Sequence, residues 1–354
     1  MTTPSSHDET GARIGCGARW ALTAGLLCAV LGGGPVRAQA PAATGALYVH
    51  IMRARQIAGN DLALDFNHRC FIEPLYPLIA KGINALSPVP PAKVLDNVYF
   101  VGQNNVSSWV VRTSAGLVLI DTQNNPDEAR QYIEGGMAQL GLDPKQIKLI
   151  VLTHEHADHF GGSKYLQDKY RPYGAHVAAS AAAWKNMHPQ PLPPPSTSAE
   201  PCGSCNYQLA AAPDVVIADG QAVTLGDTTF TFYVTPGHTD GTLSFIFNTK
   251  DQGVPHVVGF FGGMGSPRTE SNRDKIIRSY ERWLKLTAAA GADTLIANHQ
   301  GEDHAVEYSE FVRLRHQGDP NPFVLGKDAF QRYFEIQAEC TRADLARHGE
   351  KIED

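Results

Sequence analysis

The sequence predicts an α+β protein in which two mixed β-sheets pack face to face, with helices on both outer faces and helical extensions at both ends. Three features of the chain indicate this arrangement. A series of short β-rich runs begins after residue 92, strands then alternate with helical patterns, and the chain ends in two long helical patterns. With 354 residues, 43% of them hydrophobic, the chain is long enough for one large domain or two ordinary ones.

Composition and charge narrow the classes of partner. The net charge is −6 and the sequence contains no cluster of Lys and Arg, which argues against binding to a nucleic acid. After the first forty residues there is no run of roughly twenty apolar residues, so we expect no membrane-spanning body. The expected partner is a small-molecule substrate, and no pattern indicates an oligomeric state.

The first forty residues are typical of an export signal. Arg13 and Arg19 precede an apolar run over residues 20–31, three glycines follow, and Ala38-Gln39-Ala40 matches the small-x-small site of a signal peptidase. We therefore predict a signal peptide over residues 1–40 and a periplasmic or secreted protein. The alternatives are a short membrane anchor, for which the run is short, and a lipoprotein processed at Cys28, which follows an unfavourable residue.

Four cysteines follow the predicted signal: Cys70, Cys202, Cys205 and Cys340. In an oxidising compartment an even number predicts disulfide bonds, and four cysteines allow three pairings. We favour Cys202–Cys205 within one loop and Cys70–Cys340 between the two extensions. In a reducing compartment the Cys-x-x-Cys segment would instead indicate redox chemistry or half a zinc site, but the sequence has no second such motif to complete one.

An N-terminal extension over residues 41–91, with helical patterns broken by prolines, precedes the main domain, which is predicted over residues 92–304. In its first half Asn125 is expected to cap a helix that begins at Pro126 and ends before Gly141. A second helix is predicted over 163–170. The predicted strands of this half cover residues 94–101, 106–113, 117–121, 147–152 and 175–179.

A loop over residues 188–213, rich in Pro, Ser and Ala, separates the two halves of the domain. Loops of this length are usually lids, binding elements or inserts. The second half is predicted to contain a helix over 274–289 and strands over 215–218, 229–234, 243–247, 256–261 and 294–297. A C-terminal helical extension over residues 305–354 completes the chain, with helical patterns over 304–317 and 327–347.

The strongest functional signal is the segment that follows the buried strand 147–152. It places His154, His156, Asp158 and His159 within six residues. Imidazole and carboxylate are the natural ligands of Zn²⁺, and a solvated polar turn does not explain three imidazoles at this spacing. The alternation of His154 and His156 allows both rings to face one metal ion, while Asp158 and His159 turn towards a second.

Two further histidines emerge at strand ends. His238 follows the strand 229–234, and His299 follows the strand 294–297. Either one alone would be an ordinary loop histidine. Together with the four residues above they give six ligands, enough for two Zn²⁺ ions with room for water.

These motifs, in this order, resemble the metallo-β-lactamase superfamily over about residues 92–304. The resemblance rests on the His154–His159 segment, Gly161-Gly162, Pro236-Gly237-His238 and His299. It implies a four-layer αββα sandwich with a dinuclear site at one edge. It also implies that His154, His156 and His238 bind one zinc ion and that Asp158, His159 and His299 bind the other. Asp121 would hold the metal-binding loop in place without itself binding a metal ion. The alternative is that it caps a turn at a strand end.

Within the superfamily the chain is most similar to the B3 group of β-lactamases. Segments 97–102, 107–108 and 174–180 resemble the framework of that group. Relatives of the glyoxalase and lactonase types carry a metal-bridging Asp at the end of the strand before the last ligand, and segment 256–265 contains none. Two departures concern the substrate. Only Ser266 offers a hydroxyl where B3 enzymes often have several, and the 188–213 loop is unusual.

The resemblance implies a metal-dependent hydrolase in which a hydroxide held between two zinc ions attacks a carbonyl carbon, with Asp158 orienting it as the catalytic carboxylate. The first hypothesis for the substrate is a β-lactam. The second is a periplasmic lactonase, esterase or thioesterase, because the pocket and not the metal selects the substrate. The third is a non-catalytic zinc-binding protein whose loop recognises a partner.

Overall fold

The computed structural model describes residues 42–85, 87–187 and 214–352. The predicted signal peptide, the 188–213 loop and the predicted Cys202–Cys205 pair lie outside the described residues. Within the described ranges no helix is long and apolar enough to cross a membrane.

The described residues form two β-sheets. The first has seven strands in the order β1 to β7, antiparallel from β1 to β4 and parallel from β4 to β7. The second has five strands in the order β12-β11-β10-β9-β8, antiparallel except for the parallel pair β11–β12. The strands are β1 (Ala92–Lys93), β2 (Val98–Phe100), β3 (Trp109–Thr113), β4 (Gly116–Ile120), β5 (Ile147–Val151), β6 (His176–Ser180), β7 (Val215–Ile217), β8 (Ala222–Leu225), β9 (Thr228–Val234), β10 (Leu243–Asp251), β11 (Val254–Phe260) and β12 (Thr294–Ile296).

Helices flank both sheets and form the two extensions. The π-helical segments His68–Ile72 and Ala129–Glu134 continue α2 and α5. The α-helices are α1 (Ala42–Ala58), α2 (Ala63–Asn67), α3 (Glu73–Leu75), α4 (Pro77–Ile83), α5 (Pro126–Glu128), α6 (Gly135–Gln139), α7 (Ala157–Phe160), α8 (Ser163–Tyr170), α9 (Ala181–Asn186), α10 (Glu270–Ala290), α11 (Gln300–Asp303), α12 (Ala305–Leu314) and α13 (Lys327–Arg347).

Three buried apolar clusters hold these layers together. The central cluster lies between the two sheets and joins Trp109 of β3 to Phe245 of β10. A second cluster covers the outer face of the first sheet, where Ile150 packs with Met137 and Leu166 of the helices. The third covers the outer face of the second sheet with residues of α10 and α13. The predicted αββα sandwich is confirmed.

Two local predictions differ from the structure. Only β2 forms within the predicted strand 94–101, because the amides of Val94 and Leu95 both donate to the carbonyl of Val98 and turn the chain at Asp96-Asn97; β1 lies just before the predicted range. Strand β8 was not predicted, since four residues give too short an alternation. The predicted cap is present, with the Asn125 side chain accepting from the amide of Glu128 at 2.9 Å.

The two extensions pack against each other and are covalently joined. Helix α1 lies along α13, and the predicted disulfide bond between Cys70 and Cys340 is present. Arg332 of α13 reinforces this contact by donating to Asp61 and to the carbonyl of Ile57. The N-terminal extension is therefore held beside the sheet end that carries the candidate site.

Candidate metal centre

The structure gathers the six predicted ligands at one edge of the sandwich. They come from the segments that follow β5 of the first sheet and β9 and β12 of the second, so both sheets contribute to the site. Within each group the candidate ligand atoms lie within 4.8 Å of one another. The two groups are His154, His156 and His238, and Asp158, His159 and His299.

In the first group three ring nitrogens face one another. His156 Nδ1 lies 3.1 Å from Nε2 of His154 and 3.1 Å from Nε2 of His238. On the far side of these rings, His154 Nδ1 donates to the carbonyl of Gly262 at 2.9 Å, and His238 Nδ1 donates to that of Gly265 at 3.0 Å. A carbonyl oxygen only accepts, so the proton of each neutral ring is on Nδ1. Their Nε2 lone pairs therefore point into the group.

Burial keeps these rings neutral. It lowers the pKa of His154 well below the ordinary histidine value, and the neighbouring imidazoles lower it further. The same two causes lower the pKa of His238 to about 3. Nδ1 of His156 carries at most one proton, so it donates to only one of the two facing Nε2 atoms and leaves the other lone pair in repulsive contact with no donor. A divalent cation removes that repulsion, and three neutral imidazoles fit Zn²⁺.

The second group adds a carboxylate. His159 Nε2 lies 3.1 Å from His299 Nε2, and Asp158 Oδ2 lies 3.4 Å from the first and 3.7 Å from the second. His299 Nδ1 donates to the carbonyl of Asn105 at 2.7 Å, which again leaves the Nε2 lone pair facing inwards. This donor set, two imidazoles and one carboxylate oxygen, also fits a zinc ion.

The charges of the second group also favour a cation. Burial would lower the pKa of His159, but Asp158 and Asp121 raise it to about 10. Burial would raise the pKa of Asp158, but His159 and His299 hold it well below its usual range. Without a metal ion the positive charge on His159 offsets only one of the two carboxylate charges, and a bound cation would offset both.

Asp121 hydrogen-bonds to the segment that carries four of the candidate ligands. It is fully buried with φ of +58°, a conformation that Asp tolerates better than most residues. Its Oδ1 accepts from the amide of Thr153 at 2.8 Å. Its Oδ2 accepts from Thr153 Oγ1 at 2.8 Å and from His159 Nδ1 at 2.7 Å. These bonds orient the His159 ring so that Nε2 faces the second group.

Two polar residues that support the site were not predicted. Asn298 donates to Thr153 Oγ1 and to the Gly262 carbonyl, both at 2.9 Å. Glu155 accepts from Thr239 Oγ1 at 2.7 Å and from the amide of Gly241 at 3.2 Å. It thereby ties the metal loop to the loop that carries His238. Each of these residues is next to a predicted ligand in the sequence, which could have indicated a role in the site. Its hydrogen-bond partners, however, are distant in the sequence.

The glycines after β11 explain why no carboxylate bridges the two groups. A Cβ on Gly262 would lie 1.9 Å from the carbonyl oxygen of Leu243, and one on Gly263 would lie 2.7 Å from Cδ2 of His238. Neither position admits a side chain, so the space beside His238 stays open. His304, which lies near His299 in sequence, bonds instead to Asp65 at 3.1 Å.

Comparison with known proteins agrees with this geometry. Residues 101–251 match the family model of the metallo-beta-lactamase superfamily. The hydroxyacylglutathione hydrolase of Francisella tularensis subsp. novicida is 25% identical over 146 residues, which cover 41% of this chain and 46% of that protein. That of Cereibacter sphaeroides is 29% identical over 164 residues, which cover 46% of this chain and 51% of that protein. The chain spans about half the length of the curated relatives it matches.

Solved structures give longer matches. BJP-1, a subclass B3 metallo-β-lactamase of Bradyrhizobium japonicum, is 27% identical with a TM-score of 0.57, over 71% of this chain and 92% of that one. A B3 enzyme described as the first with an active-site glutamic acid is 26% identical with a TM-score of 0.56, over 78% and 97%. Native FEZ-1 of Legionella gormanii, at 21% identity and a TM-score of 0.59, supports the fold alone. These findings confirm the predicted resemblance and fold, and the named relatives are hydrolases, as the sequence predicts for this chain.

Proposed function

We propose that this chain, whose residues 101–251 match the metallo-β-lactamase superfamily, is an exported dinuclear zinc hydrolase that opens β-lactam rings. The observation that carries the proposal is the pairing of two three-ligand groups at one edge of the sandwich. In four of the five histidines a hydrogen bond on the far side of the ring turns the other ring nitrogen towards its group.

When bound, two divalent ions would supply a water with a pKa near about 7 and a Lewis acid for the carbonyl oxygen. The chain supplies the rest. His154, His156 and His238 would hold one ion, and Asp158, His159 and His299 the other. The Asp158 side chain is 29% exposed, and it is the ligand that we propose to orient the attacking water. Asp121 and Asn298 keep the ligand loops in register.

The β-lactam assignment rests on two observations. The B3 structures match most of this chain and more than nine-tenths of their own length. In addition, Gly262 and Gly263 leave no room for the bridging carboxylate of the glyoxalase-type relatives. One observation favours a second candidate, thioester hydrolysis, because the curated relatives that the chain matches over part of their length are hydroxyacylglutathione hydrolases.

The test is metal analysis combined with hydrolysis of nitrocefin, meropenem and S-D-lactoylglutathione, with and without chelator. We expect two zinc ions per chain and β-lactam turnover that chelation abolishes. His299→Ala removes a proposed ligand and should lower turnover by more than about 100-fold. His316→Ala, at a side chain that is 91% exposed, is the matched control and should have no effect.

Other outcomes discriminate between the candidates. Thioester turnover with inert β-lactams would establish the second candidate and contradict the first. Protein that holds two zinc ions but hydrolyses no β-lactam, lactone, ester or thioester would support the third hypothesis, a non-catalytic zinc-binding protein.

The proposed export rests on the predicted signal peptide and on the Cys70–Cys340 bond, since disulfides persist mainly in oxidising compartments. Mass spectrometry of the protein from a periplasmic fraction should find a mature chain that begins at residue 41. A cytoplasmic, full-length chain with free thiols would contradict the proposal.

A further inference from the structure

A cavity of about 180 Å³ lies beside the candidate metal centre. One candidate ligand from each group, His238 and His299, lines it. The opposite wall comes from the N-terminal extension and from α13, which the family match over residues 101–251 does not include. Its size suits a substituent of about one six-membered ring, since a cavity of roughly 150 Å³ can hold benzene.

The strong cation in the wall is already paired. Arg69 is buried, and its Nη1 donates to Glu73 Oε2 at 2.6 Å and to Ser266 Oγ at 3.0 Å. Its Nη2 donates to Thr341 Oγ1 at 3.0 Å. Arg69 and Glu73 neutralise each other, so Arg69 offers little attraction to an incoming anion.

Three other side chains of the lining present atoms without partners. Glu302 Oε2, Asn84 Oδ1 and His68 Nε2 are buried and have no hydrogen-bond partner among the described residues. Glu302 is only 8% exposed, and its other carboxyl oxygen, Oε1, accepts from the amide of Met264 at 3.3 Å. Burial lowers the pKa of His68, which favours the neutral ring and lets Nε2 accept. Buried polar atoms are nearly always paired, so three orphaned acceptors around one cavity indicate a missing donor.

The side chains of His68 and Asn84 lie beside Gly301, where a Cβ would come within 2.7 Å of His68 Cε1 and 3.6 Å of Asn84 Nδ2. The glycine leaves space that a side chain would fill. An ammonium group offers three N–H donors and one positive charge. Burial raises the pKa of the Glu302 carboxyl to about 8, and a bound ammonium group would stabilise its carboxylate form while donating to the acceptors of the cavity.

We propose that this cavity is a subsite for an ammonium-bearing substituent of the substrate, with Glu302 as its specificity-determining residue. The proposal rests on the proposed function in that the substituent belongs to a carbonyl compound cleaved at the neighbouring centre. The N-terminal extension, through His68 and Asn84, supplies the remaining acceptors, and the Cys70–Cys340 bond holds that wall in place.

Binding to the metal-free full-length chain tests the subsite without turnover. Benzylammonium and benzyl alcohol have nearly the same shape, and calorimetry should find the ammonium bound about tenfold or more tightly. Glu302→Gln should abolish that preference. Its carbonyl oxygen would take the Met264 amide and its NH₂ group would face the cavity. Glu134→Gln, a carboxyl outside the cavity lining, is the matched control and should retain the preference.

Turnover provides a second readout. Ampicillin and benzylpenicillin differ in one amino group, and their ratio of kcat/KM should favour ampicillin and fall to about one in Glu302→Gln. An unchanged ratio, or equal binding of the two benzyl compounds by the unaltered chain, would overturn the subsite. Glu302-dependent binding of benzylammonium by a protein that hydrolyses nothing would keep the subsite and contradict the proposed function instead.

Discussion

Replacing Asp121 with Asn should remove one metal site and leave the other. In the native chain Asp121 Oδ2 accepts from His159 Nδ1 at 2.7 Å, and Oδ1 accepts from the Thr153 amide at 2.8 Å. In Asp121→Asn the carbonyl oxygen is needed by the Thr153 amide, so the NH₂ group faces His159 Nδ1. The imidazole relieves this donor–donor contact by moving its proton to Nε2, which can then no longer bind a metal ion.

The magnitude follows from the hydrogen bond that the substitution breaks. Changing a partner of a metal-ligating histidine costs about 10- to 100-fold in metal affinity, and a wrong tautomer should lie at the upper end of that range. The mispaired buried donor should also lower the free energy of unfolding by about 1–3 kcal/mol. The first group should be unaffected, because His154 and His238 are oriented by backbone carbonyls of Gly262 and Gly265.

Zinc titration followed by calorimetry, with metal content measured by mass spectrometry, provides the assay. Two ions per chain should become one at zinc concentrations that saturate the native protein. Asp127→Asn, at an aspartate whose side chain is 81% exposed, is the matched control. Two ions bound with native affinity would refute the tautomer argument. Loss of both ions from a variant that still unfolds cooperatively would refute the independence of the two groups.

Three further predictions concern stability. Cys70→Ser should lower the free energy of unfolding by up to about 5 kcal/mol, because the disulfide closes a loop of 270 residues. Chemical denaturation with and without reductant measures this loss. An unchanged midpoint would show that the packing of α1 on α13 is enough to hold the two extensions together. Gly262→Ala should lower the melting temperature and weaken zinc binding, because its Cβ would lie 1.9 Å from the Leu243 carbonyl, whereas Gly82→Ala in α4, with nothing within 4 Å, should be neutral or slightly stabilising. Burial, together with Glu73 and Asp303, raises the pKa of Glu302 to about 8 in the folded chain. Because its unfolded pKa is about 4.5, the contribution of this carboxyl group to stability is fully present below pH 4.5 and is lost as the pH rises through 8. Glu302→Gln should therefore be more stable than the native chain at pH 9 by a few kcal/mol and similar at pH 4, and identical pH profiles in denaturant titrations would contradict this.

The ligands could be predicted from the sequence because their signals are local. His154, His156, Asp158 and His159 follow one apolar strand, and strand ends are where a sheet displays functional side chains. His238 and His299 were predicted from the same pattern, since each follows an apolar strand. The long helices predicted over 274–289 and 327–347, observed over 270–290 and 327–347, were recognised for a similar reason, since each has a long apolar stripe.

The supporting residues could not be predicted in this way. Asn298 and Glu155 act through partners such as Thr153 and Gly241, and nothing in the sequence pairs them. The shortening of the predicted strand 94–101 to β2 depends on the carbonyl of Val98, which accepts the amides of Val94 and Leu95. Which of these hydrogen bonds form depends on tertiary contacts, and local sequence patterns do not encode those contacts.

The cavity also could not be predicted from the sequence, and it is where we expect substrate specificity to arise. His68 and Glu302 are separated by 234 positions, and they meet because α1 packs on α13 and a disulfide joins the two extensions. The metal groups are fixed by strand ends and backbone carbonyls, which tolerate little change. The facing wall is built from α11 and from helices of the two extensions, and none of its side chains is a candidate ligand. A change of substrate class should therefore require substitutions in this wall, at residues such as Glu302 and His68, rather than at the metal centre.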